Sequence, residues 1–383
     1  MRVLIIGCGN IGSVAAQDIA GSTSSIEVVV ADKDKARAEQ TAKTIARSNI
    51  SSAQLNIDDK NKTIKLLNDF DLAMGFLPGN LGYQLCKTCI EAQKDLVDVS
   101  FMPEDPLTLQ DRAKRADVTI VPDCGLAPGI SNVLVGHAVT ELNRVETVHI
   151  MVGGLPEKPV PPLGYVVTWS PESLIDEYTR KAKIVRKGKM AEVEALSGVE
   201  EVKFPTVGKL EAFFTDGLRT LTRTIAGAEE MGEKTLRYPG HAEKIRLLEA
   251  LGFFEDKQFD MGSVRVSPRM VTAKLLGDRL RRTEVRDLVA LRVKVSGLKK
   301  GTRKRYVYSL LDRYDEKRKI TAMARTTAFP ASIVAQLILK KVIKEKGVVP
   351  PEKLGMNGGV FQQFWKELKT RKIIIKAEQP FAG

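Results

Sequence analysis

The stretch Gly7-Cys8-Gly9-Asn10-Ile11-Gly12 decides the fold class of this chain. It follows a β-branched run, Arg2–Gly7, and opens a segment with helical spacing that stops at Gly21. In a GxGxxG at this place, the first glycine permits a tight turn, the second lets the backbone approach a pyrophosphate, and the third allows close helix packing. The helix N-terminus then receives the phosphates. We therefore expect a dinucleotide-binding loop formed by Gly7, Gly9, Asn10, Ile11 and Gly12.

Asp32 ends the second predicted strand, twenty residues beyond Gly12. A carboxylate at this position accepts hydrogen bonds from both ribose hydroxyls of NAD and repels the 2′-phosphate of NADP. Lys33 and Lys35 follow directly and soften that discrimination. The expected cofactor is therefore NAD, with NADP possible.

Predicted strands alternate with helix-length segments over residues 1–130. The strands are Arg2–Gly7, Glu27–Asp32, Gln54–Asp58, Asp71–Phe76, Leu96–Ser100 and Val118–Asp123. This alternation predicts a Rossmann-type domain with a doubly wound parallel sheet, the first part of an α/β protein. Because such sheets bind ligands beyond the carboxyl ends of their strands, we expect Leu77 and Pro78 to lie under the nicotinamide half of the cofactor.

Residues 131–330 have a different pattern, in which long strand-like segments follow one another without helices between them. These segments are Thr147–Gly153, Val285–Gly297, Arg305–Asp315 and Lys319–Thr327. They predict a second α+β domain with a mixed or antiparallel sheet, which we interpret as the substrate-binding and dimerisation domain. Residues 331–383 form a return segment, and a helix near 330–347 is expected to pack back on the first domain.

Composition excludes several classes of protein. With 43% hydrophobic and 28% charged residues in 383, the chain is globular rather than disordered. Its net charge of +13 permits a nucleic-acid partner, but the basic cluster 299–305 is better explained as a solvated turn, so none is expected. We see no apolar run approaching a membrane span and no signal peptide, and expect a cytoplasmic protein. Cys86 and Cys89 form a single CxxC, so we expect no metal site.

Several longer motifs resemble the saccharopine dehydrogenase family, most closely its short lysine 6-dehydrogenase-like members. The resemblance covers essentially the whole chain. Besides the glycine loop, it rests on segments 97–100 (VDVS), 123–129 (DCGLAPG), 168–171 (TWSP), 236–244 (LRYPGHAEK) and 321–327 (TAMARTT). It implies NAD(P)-dependent oxidation or reduction at a carbon–nitrogen bond of a small amino-acid substrate, and at least a homodimer built on the second domain.

Two departures from the family pattern bear on the substrate. Phe101 stands where saccharopine reductases have tyrosine, and Ala127 stands where they have aspartate. The resemblance therefore implies oxidative deamination of free L-lysine at the ε-carbon, giving allysine and then piperideine-6-carboxylate. The alternatives are a saccharopine dehydrogenase or carboxynorspermidine synthase-like imine reductase and, from another class, a non-catalytic dinucleotide-binding protein.

Amine oxidation needs a proton acceptor, because an unperturbed lysine amine with a pKa near 10.4 is protonated at neutral pH. Asp98 and Asp123 close strands on the ligand-binding edge, and His241 is one of three histidines, so these three are the catalytic candidates. Each has an ordinary structural role as its alternative. The expected substrate-binding residues are Arg237, with Arg223 as its rival for a carboxylate, and Trp169 with Ser170 as a wall for the methylenes.

Overall fold

The structure is a computed structural model that describes residues 1–280, 282 and 285–378. Contacts divide the chain into two compact units. The first combines Met1–Thr140 with Ala324–Ile373, and the second combines Glu141–Met323 with the segment from Ile374 onward. The chain therefore changes units after Thr140 and Met323, whereas the sequence predicts boundaries at 130 and 330. The first change comes later because residues 130–140 form a helix that packs within the first unit.

The described residues contain the following elements in chain order. The strands are β1 (Arg2–Ile6), β2 (Glu27–Asp32), β3 (Ile50–Gln54), β4 (Leu72–Gly75), β5 (Asp95–Asp98), β6 (Thr119–Val121), β7 (Arg144–Pro156), β8 (Ala182–Arg186), β9 (Lys189–Val193), β10 (Glu200–Phe204), β11 (Gly208–Phe214), β12 (Glu230–Arg237), β13 (Phe259–Met261), β14 (Val264–Val266), β15 (Asp287–Lys299), β16 (Thr302–Arg313), β17 (Gly347–Val348) and β18 (Ile375–Ala377). The α-helices are α1 (Asn10–Ser22), α2 (Lys35–Ile45), α3 (Lys60–Leu67), α4 (Gly79–Glu91), α5 (Gln110–Arg115), α6 (Ile130–Thr140), α7 (Pro171–Thr179), α8 (Leu221–Thr224), α9 (His241–Ala250), α10 (Pro268–Leu280), α11 (Ala322–Leu339), α12 (Pro351–Met356) and α13 (Gly358–Thr370), and a short 3-10 helix covers Pro106–Leu109.

The first unit is built on a seven-stranded parallel sheet in the order β17-β6-β5-β4-β1-β2-β3. Strand β1 pairs with β2 on one side and with β4 on the other, so the strand order reverses beside β1. In a doubly wound sheet this reversal is the point at which ligands bind. The predicted Rossmann-type sheet is confirmed, with β17 as an additional strand from late in the chain.

The third strand differs from its prediction. It covers Ile50–Gln54, whereas the sequence predicts Gln54–Asp58. Leu55 and Ile57 lie in a loop, and their side chains are buried in the core of the first unit. Their spacing of two residues is the apolar–polar alternation typical of a strand. The polar residues of this loop make turn bonds instead, and the carboxylate of Asp59 caps α3 by accepting the N–H of Lys62. The prediction of a strand over 54–58 is therefore wrong.

The second unit contains the predicted mixed sheet. Its central order is β10-β11-β12-β7-β15-β16-β18, and β8 pairs with β12 and β9. Strands β12 and β7 are parallel, and the other pairs are antiparallel. Strands β13 and β14 form a separate two-stranded hairpin.

The region predicted as a strand over Lys319–Thr327 and a helix from Pro330 is instead one helix, α11, from Ala322 to Leu339 with Pro330 inside it. The carboxylate of Asp287 accepts the N–H groups of Ala322 and Met323 at 2.6 and 2.9 Å, which supplies acceptors at the N-terminus of the helix. The cap lies 35 residues away in sequence. A local pattern therefore does not show where this helix begins.

Helix α11 is also long and apolar enough to pass as a membrane span, which corrects the expectation that no run approaches that length. Its 18 residues have a mean hydropathy of 1.3. In the folded protein 89% of this helix is buried, as is typical of the core helix of a folded domain.

Candidate functional site

The glycine loop lies in the turn from β1 to α1. Gly7 has a φ of 102°, and a Cβ atom on it would lie 2.4 Å from the carbonyl oxygen of Phe76. A Cβ atom on Gly12 would lie 1.9 Å from the carbonyl oxygen of Gly7, so glycine is required at both places. Around Gly9, in contrast, no described atom beyond the adjacent residues lies within 4 Å of the Cβ position. Gly9 caps α1 with no side-chain acceptor, which leaves the N–H groups that begin at Asn10 and Ile11 to a ligand.

Asp32 lies at the carboxyl end of β2 beside this loop. One of its carboxylate oxygens accepts the N–H of Cys8 at 2.8 Å, and the other accepts the N–H of Asp34 at 3.0 Å. These bonds fix the carboxylate against the loop, and each oxygen keeps a second lone pair for another donor. The position fits the ribose hydroxyls of a dinucleotide.

The loop after β4 lies against the glycine loop. The N–H of Phe76 donates to the carbonyl of Ile6 at 2.8 Å, and a Cδ atom of Leu77 lies 3.5 Å from the Cβ position of Gly7. Pro78 is exposed and caps α4. Leu77 and Pro78 thus lie at the carboxyl edge beside the predicted cofactor loop, and their contact with the nicotinamide stays a prediction.

These features fit NAD(P) on grounds of chemistry. The open space at Gly9 admits a pyrophosphate, the first turn of α1 offers uncapped N–H donors, and Asp32 offers a carboxylate to a ribose. The first unit is accordingly a NAD(P)-binding domain.

Asp98 is a fully buried acid at the end of β5. One of its carboxylate oxygens accepts both the N–H of Ser100, at 2.9 Å, and the Ser100 hydroxyl. The other, Oδ2, has no hydrogen-bond partner, and a Cβ atom on Gly75 would lie 2.1 Å from it. Burial raises the pKa of Asp98 to about 7, against the opposing effect of the Ser100 bonds and with a smaller contribution from nearby Asp123. This carboxyl group can therefore hold or release a proton near neutral pH.

Asp123 is the second buried carboxyl group at this edge of the sheet. It follows β6, is 1% exposed and has a φ of 54°, a left-handed conformation in which residues other than glycine are uncommon. Its charge contributes to the raised pKa of Asp98, so the two acids are close enough to interact. The structure thus brings together the two acidic candidates that the sequence places at strand ends.

The cysteines provide no reactive group. All four are reduced and buried, and burial raises the pKa values of the Cys86, Cys89 and Cys124 thiols well above the ordinary range. Residues 1–280, 282 and 285–378 contain no group of three or more His, Cys, Asp or Glu side chains suited to a metal ion.

His241 is buried at the start of α9 with both ring nitrogens engaged. Its Nδ1–H donates to the carbonyl of Leu163 at 2.9 Å, and its Nε2 accepts the hydroxyl of Tyr178 at 2.8 Å. Burial, with a contribution from the positive charge of Arg237, lowers the pKa of His241 to about 3. The imidazole is therefore a neutral group without a free nitrogen for substrate, and this geometry gives no support to the predicted catalytic role.

Arg237 is 3% exposed and already bound to a carboxylate. Its Nη2 donates to Glu177 at 2.9 Å, its Nη1 donates to the carbonyl of Leu236 at 3.0 Å, and its guanidinium lies 4.5 Å from the ring centre of Tyr165. Its Nε has no partner. The predicted use of this side chain as a clamp for a substrate carboxylate would require replacement of Glu177.

Trp169 and Ser170 have local partners in the same region. The indole N–H of Trp169 donates to the hydroxyl of Tyr165 at 3.0 Å. Ser170 caps α7, because its oxygen accepts the N–H of Ser173 at 3.2 Å. Trp169, Arg237 and His241 thus meet around Tyr165, with the His241 ring 5.6 Å from the tyrosine ring. Arg223 lies on α8 with an exposed side chain.

A buried polar stripe on β12 was missed by the sequence reasoning. Glu233, Thr235 and Arg237 are two residues apart, so they share one face of the strand. Thr215 donates to Glu233 at 2.6 Å, and burial raises the pKa of Glu233 to about 8. No strand is predicted over these residues, and Lys234 between Glu233 and Thr235 is polar as well, so the local sequence pattern carries no clear signal of the stripe.

A second group of charges that was missed lies in the same unit. Asp216 is 5% exposed, and its carboxylate lies 3.8 Å from a guanidinium nitrogen of Arg180 and 3.9 Å from one of Arg219. The second unit therefore buries carboxylates and guanidinium groups as ion pairs.

Comparison with known proteins identifies both parts of the chain. Residues 3–121 match the saccharopine dehydrogenase NADP binding domain, and residues 125–374 match the saccharopine dehydrogenase C-terminal domain. The chain is 22% identical over 374 residues to carboxyaminopropylagmatine dehydrogenase of Synechocystis, covering 92% of each chain. It is 26% identical over 248 residues to alpha-aminoadipic semialdehyde synthase of Arabidopsis thaliana, covering 61% of this chain and 23% of that protein.

The fold is also that of a solved relative. Apo saccharopine dehydrogenase (L-Glu forming) from Saccharomyces cerevisiae superposes with a TM-score of 0.79 at 21% identity, covering 99% of this chain and 100% of that one. Since the two family matches together span nearly the whole chain, the chain belongs to the saccharopine dehydrogenase family of amino-acid oxidoreductases.

Proposed function

We propose that the protein is a NAD-dependent amino-acid dehydrogenase that oxidises L-lysine at its ε-carbon. The observation that carries the proposal is the buried pair Asp98 and Asp123 at the carboxyl edge of a dinucleotide-binding sheet, with the pKa of Asp98 raised to about 7. Oxidation of an amine requires such a proton acceptor. The choice of a free amine rests on Phe101 and Ala127, which supply no polar side-chain group for the glutamyl part of saccharopine.

The reaction balances with the groups proposed. The ammonium of lysine loses a proton to the carboxylate pair, and the bound cofactor supplies the acceptor for the hydride and its two electrons from the ε-carbon. The pair then passes this first proton to solvent. Water adds to the resulting iminium, and the regenerated carboxylates take a proton from it. They return that proton to the nitrogen, which leaves as ammonia while the hydroxyl proton is lost and the aldehyde forms. Arg237 is paired with Glu177, and the predicted use of Arg237 or Arg223 for the α-carboxylate of the substrate stays a prediction.

A second candidate is oxidation of a secondary amine or, in the other direction, reduction of the corresponding imine. The full-length similarity to carboxyaminopropylagmatine dehydrogenase favours it, because that relative is matched over 92% of its length. In this reading the carboxylate pair exchanges a proton with the imine nitrogen and no ammonia is released.

The test is cofactor reduction at mildly alkaline pH with lysine, ornithine, saccharopine or putrescine, and with NAD or NADP. We expect lysine and NAD to react with release of one ammonia per NADH. Activity with saccharopine, or consumption of reduced cofactor with an aldehyde and an amine, would support the second candidate instead. Cofactor binding without turnover of any amine would contradict both and indicate a non-catalytic dinucleotide-binding protein.

Asp32→Asn provides the cofactor test. Losing a charge-assisted bond of about 1.5–3 kcal/mol should raise the KM for NAD by roughly 10- to 100-fold and reduce discrimination against NADP. Asp34→Asn is the matched control, since it removes a carboxylate two residues away while asparagine can still cap α2. An unchanged NAD/NADP ratio in Asp32→Asn would overturn the assignment of Asp32.

A further inference from the structure

Four side chains of the second unit form one continuous line of hydrogen-bond contacts, which we call the relay. Oε2 of Glu233 lies 2.6 Å from Oγ1 of Thr215, which in turn lies 2.8 Å from Oγ1 of Thr235. Oγ1 of Thr235 lies 2.7 Å from Oε1 of Glu177, and Oε2 of Glu177 accepts a hydrogen bond from Arg237 at 2.9 Å. The relay thus consists of a carboxyl group, two hydroxyl groups and a second carboxyl group, and it is buried.

The number of protons in the relay decides the charge of its ends. Each threonine hydroxyl has one proton to donate, and an ionised carboxylate has none. If both carboxyl groups are ionised, each takes the proton of the nearer hydroxyl. No proton then remains between Thr215 and Thr235, whose oxygens face each other at 2.8 Å. Three contacts of hydrogen-bond length need three protons, so one of the two carboxyl groups is protonated.

The ion pair with Arg237 distinguishes the two ends. Glu177 lies 2.9 Å from the guanidinium group, and a positive charge at that distance favours the ionised carboxylate. Glu233 makes no ion pair within the part of the chain that the structure describes, and its printed side-chain contact is to a hydroxyl. The proton therefore belongs on Glu233.

The charged groups that face Glu233 agree with this assignment. They are the carboxylates of Glu177 on α7 and Asp216 after β11, and the cations Arg180 and Arg219 lie beside Asp216 at 3.8 and 3.9 Å. Burial raises the pKa of Glu233 to about 8, against the opposing effect of its hydrogen bonds and with a contribution from the two neighbouring carboxylates.

We infer that Glu233 is a neutral carboxylic acid in the folded protein at neutral pH and that it donates its proton to Thr215. The two hydroxyl groups then donate in the same direction, from Thr215 to Thr235 and from Thr235 to Glu177. All three contacts become hydrogen bonds, and the last of them ends on the carboxylate that holds Arg237. Glu233 is thus a positioning residue, which acts on Arg237 through the relay.

The arginine passes this influence to an aromatic pair. The guanidinium of Arg237 lies 4.5 Å from the ring centre of Tyr165, and the hydroxyl of Tyr165 accepts the indole N–H of Trp169 at 3.0 Å. Ionisation of Glu233 removes one proton from the relay and leaves one of its three contacts without a hydrogen bond. The change should therefore extend to Trp169. This inference needs no choice of amine or cofactor and is independent of the reaction proposed above.

Infrared spectroscopy of the full chain with ¹³C-labelled glutamate detects the proton on Glu233. A protonated carboxyl group has a carbonyl band that an ionised carboxylate lacks, and the label separates glutamate from the buried aspartates. We expect this band at neutral pH, its loss with a midpoint near pH 8, and its absence from Glu233→Gln. A neutral-pH spectrum without the band, or a band that persists in Glu233→Gln, would overturn the proposal.

Thr235→Val tests the proton count. Valine has a similar shape but no hydroxyl, so Thr215 loses its acceptor there and donates to Glu233 instead. That bond stabilises the ionised form, so the infrared midpoint should fall by about one pH unit, roughly tenfold in the acid dissociation constant. Burial alone predicts the opposite sign, because valine makes the surroundings of Glu233 less polar.

Thr235→Ser is the matched control, since it retains the hydroxyl and should keep the midpoint near pH 8. A midpoint that is unchanged or raised in a folded Thr235→Val protein would overturn the proton count. Circular dichroism checks that each variant is folded.

The fluorescence of Trp169 tests the positioning of Arg237. The chain has two tryptophans, so Trp169 is the one that remains in a Trp365→Phe background. We expect its emission to change with the midpoint of the infrared band. In Glu233→Gln the emission should not change over that range, because the amide N–H donates to Thr215 at every pH. Emission that does not follow the ionisation of Glu233 in the unmodified relay would overturn the positioning role.

Discussion

At the residue scale, the fold disfavours ionisation of one buried carboxyl group, that of Asp98. Its Oδ2 is buried against Gly75 without a partner, so ionisation places a charge where only the Ser100 bonds, on the other oxygen, stabilise it. The pKa is about 7 in the folded protein and near 3.9 when unfolded. Between these values the folded state holds the extra proton. This group's contribution to the free energy of unfolding is therefore largest below pH 4 and is lost as the pH rises to 7.

Asp98→Asn should remove that pH dependence. Between pH 5 and 8 the free energy of unfolding of the unmodified protein should fall by about 2–3 kcal/mol more than that of the variant, as measured by urea denaturation. The exposed Asp58→Asn provides the control and should parallel the unmodified protein. Parallel curves for Asp98→Asn as well would mean that Asp98 is already ionised in the folded state at pH 5.

At the scale of elements, different glycines in the turn from β1 to α1 serve the fold and the ligand. Gly7 and Gly12 are required by backbone packing, whereas Gly9 leaves space for the cofactor. Gly9 has ordinary dihedral angles, φ −76° and ψ −173°, and open space around its Cβ position. Gly9→Ala should therefore keep or slightly raise stability, by up to about 1 kcal/mol through the unfolded state. The added methyl group should still weaken NAD binding by roughly 10- to 100-fold, as expected from the loss of one or two bonds to a charged phosphate.

Gly12→Ala is the matched variant, since its Cβ atom would collide with the carbonyl of Gly7. It should lower the free energy of unfolding by about 1–3 kcal/mol. NADH fluorescence titration and urea denaturation measure the two effects. Unweakened NAD binding in a stable Gly9→Ala protein would show that the pyrophosphate does not approach Gly9.

Elements that depend on local pattern could be predicted, and those that depend on distant partners could not. The strand, glycine turn and helix around Gly7 are specified within about twenty residues. The start of α11 depends on the carboxylate of Asp287, which is distant in sequence. The local pattern around Lys319 contains no sign of this cap, and it predicts a strand instead. In the candidate site, Asp98 and Asp123 could be predicted because they stand at the ends of predicted strands. The pairing of Arg237 with Glu177 could not, because the two residues are 60 positions apart in sequence.

At the scale of the whole molecule, the first unit needs chain from both ends of the sequence. Strand β17 pairs with β6, and the hydroxyl of Thr119 donates to the carbonyl of Glu345 at 2.8 Å. Helices α6 and α12 meet through glycines, because Cβ atoms on Gly136 and Gly355 would each lie 2.0 Å from a carbonyl oxygen of the other segment. Residues 324–373 are thus part of the dinucleotide-binding unit and not an appendage.

A fragment of residues 1–140 should therefore fail to fold cooperatively, even though it contains every predicted strand of the first domain and the glycine loop. It lacks β17, whose Val348 is fully buried. It also lacks Arg371, whose guanidinium group donates to the carboxylate of Asp18 in α1 at 2.9 Å. Coexpression with residues 324–373 should restore a cooperative thermal transition by circular dichroism and NADH binding by fluorescence. The same coexpression with Val348→Asp in the second fragment should fail, because it buries an unpaired charge. If residues 1–140 alone bound NADH as tightly as the full chain, the return segment would be dispensable, and the first 140 residues would be a complete domain.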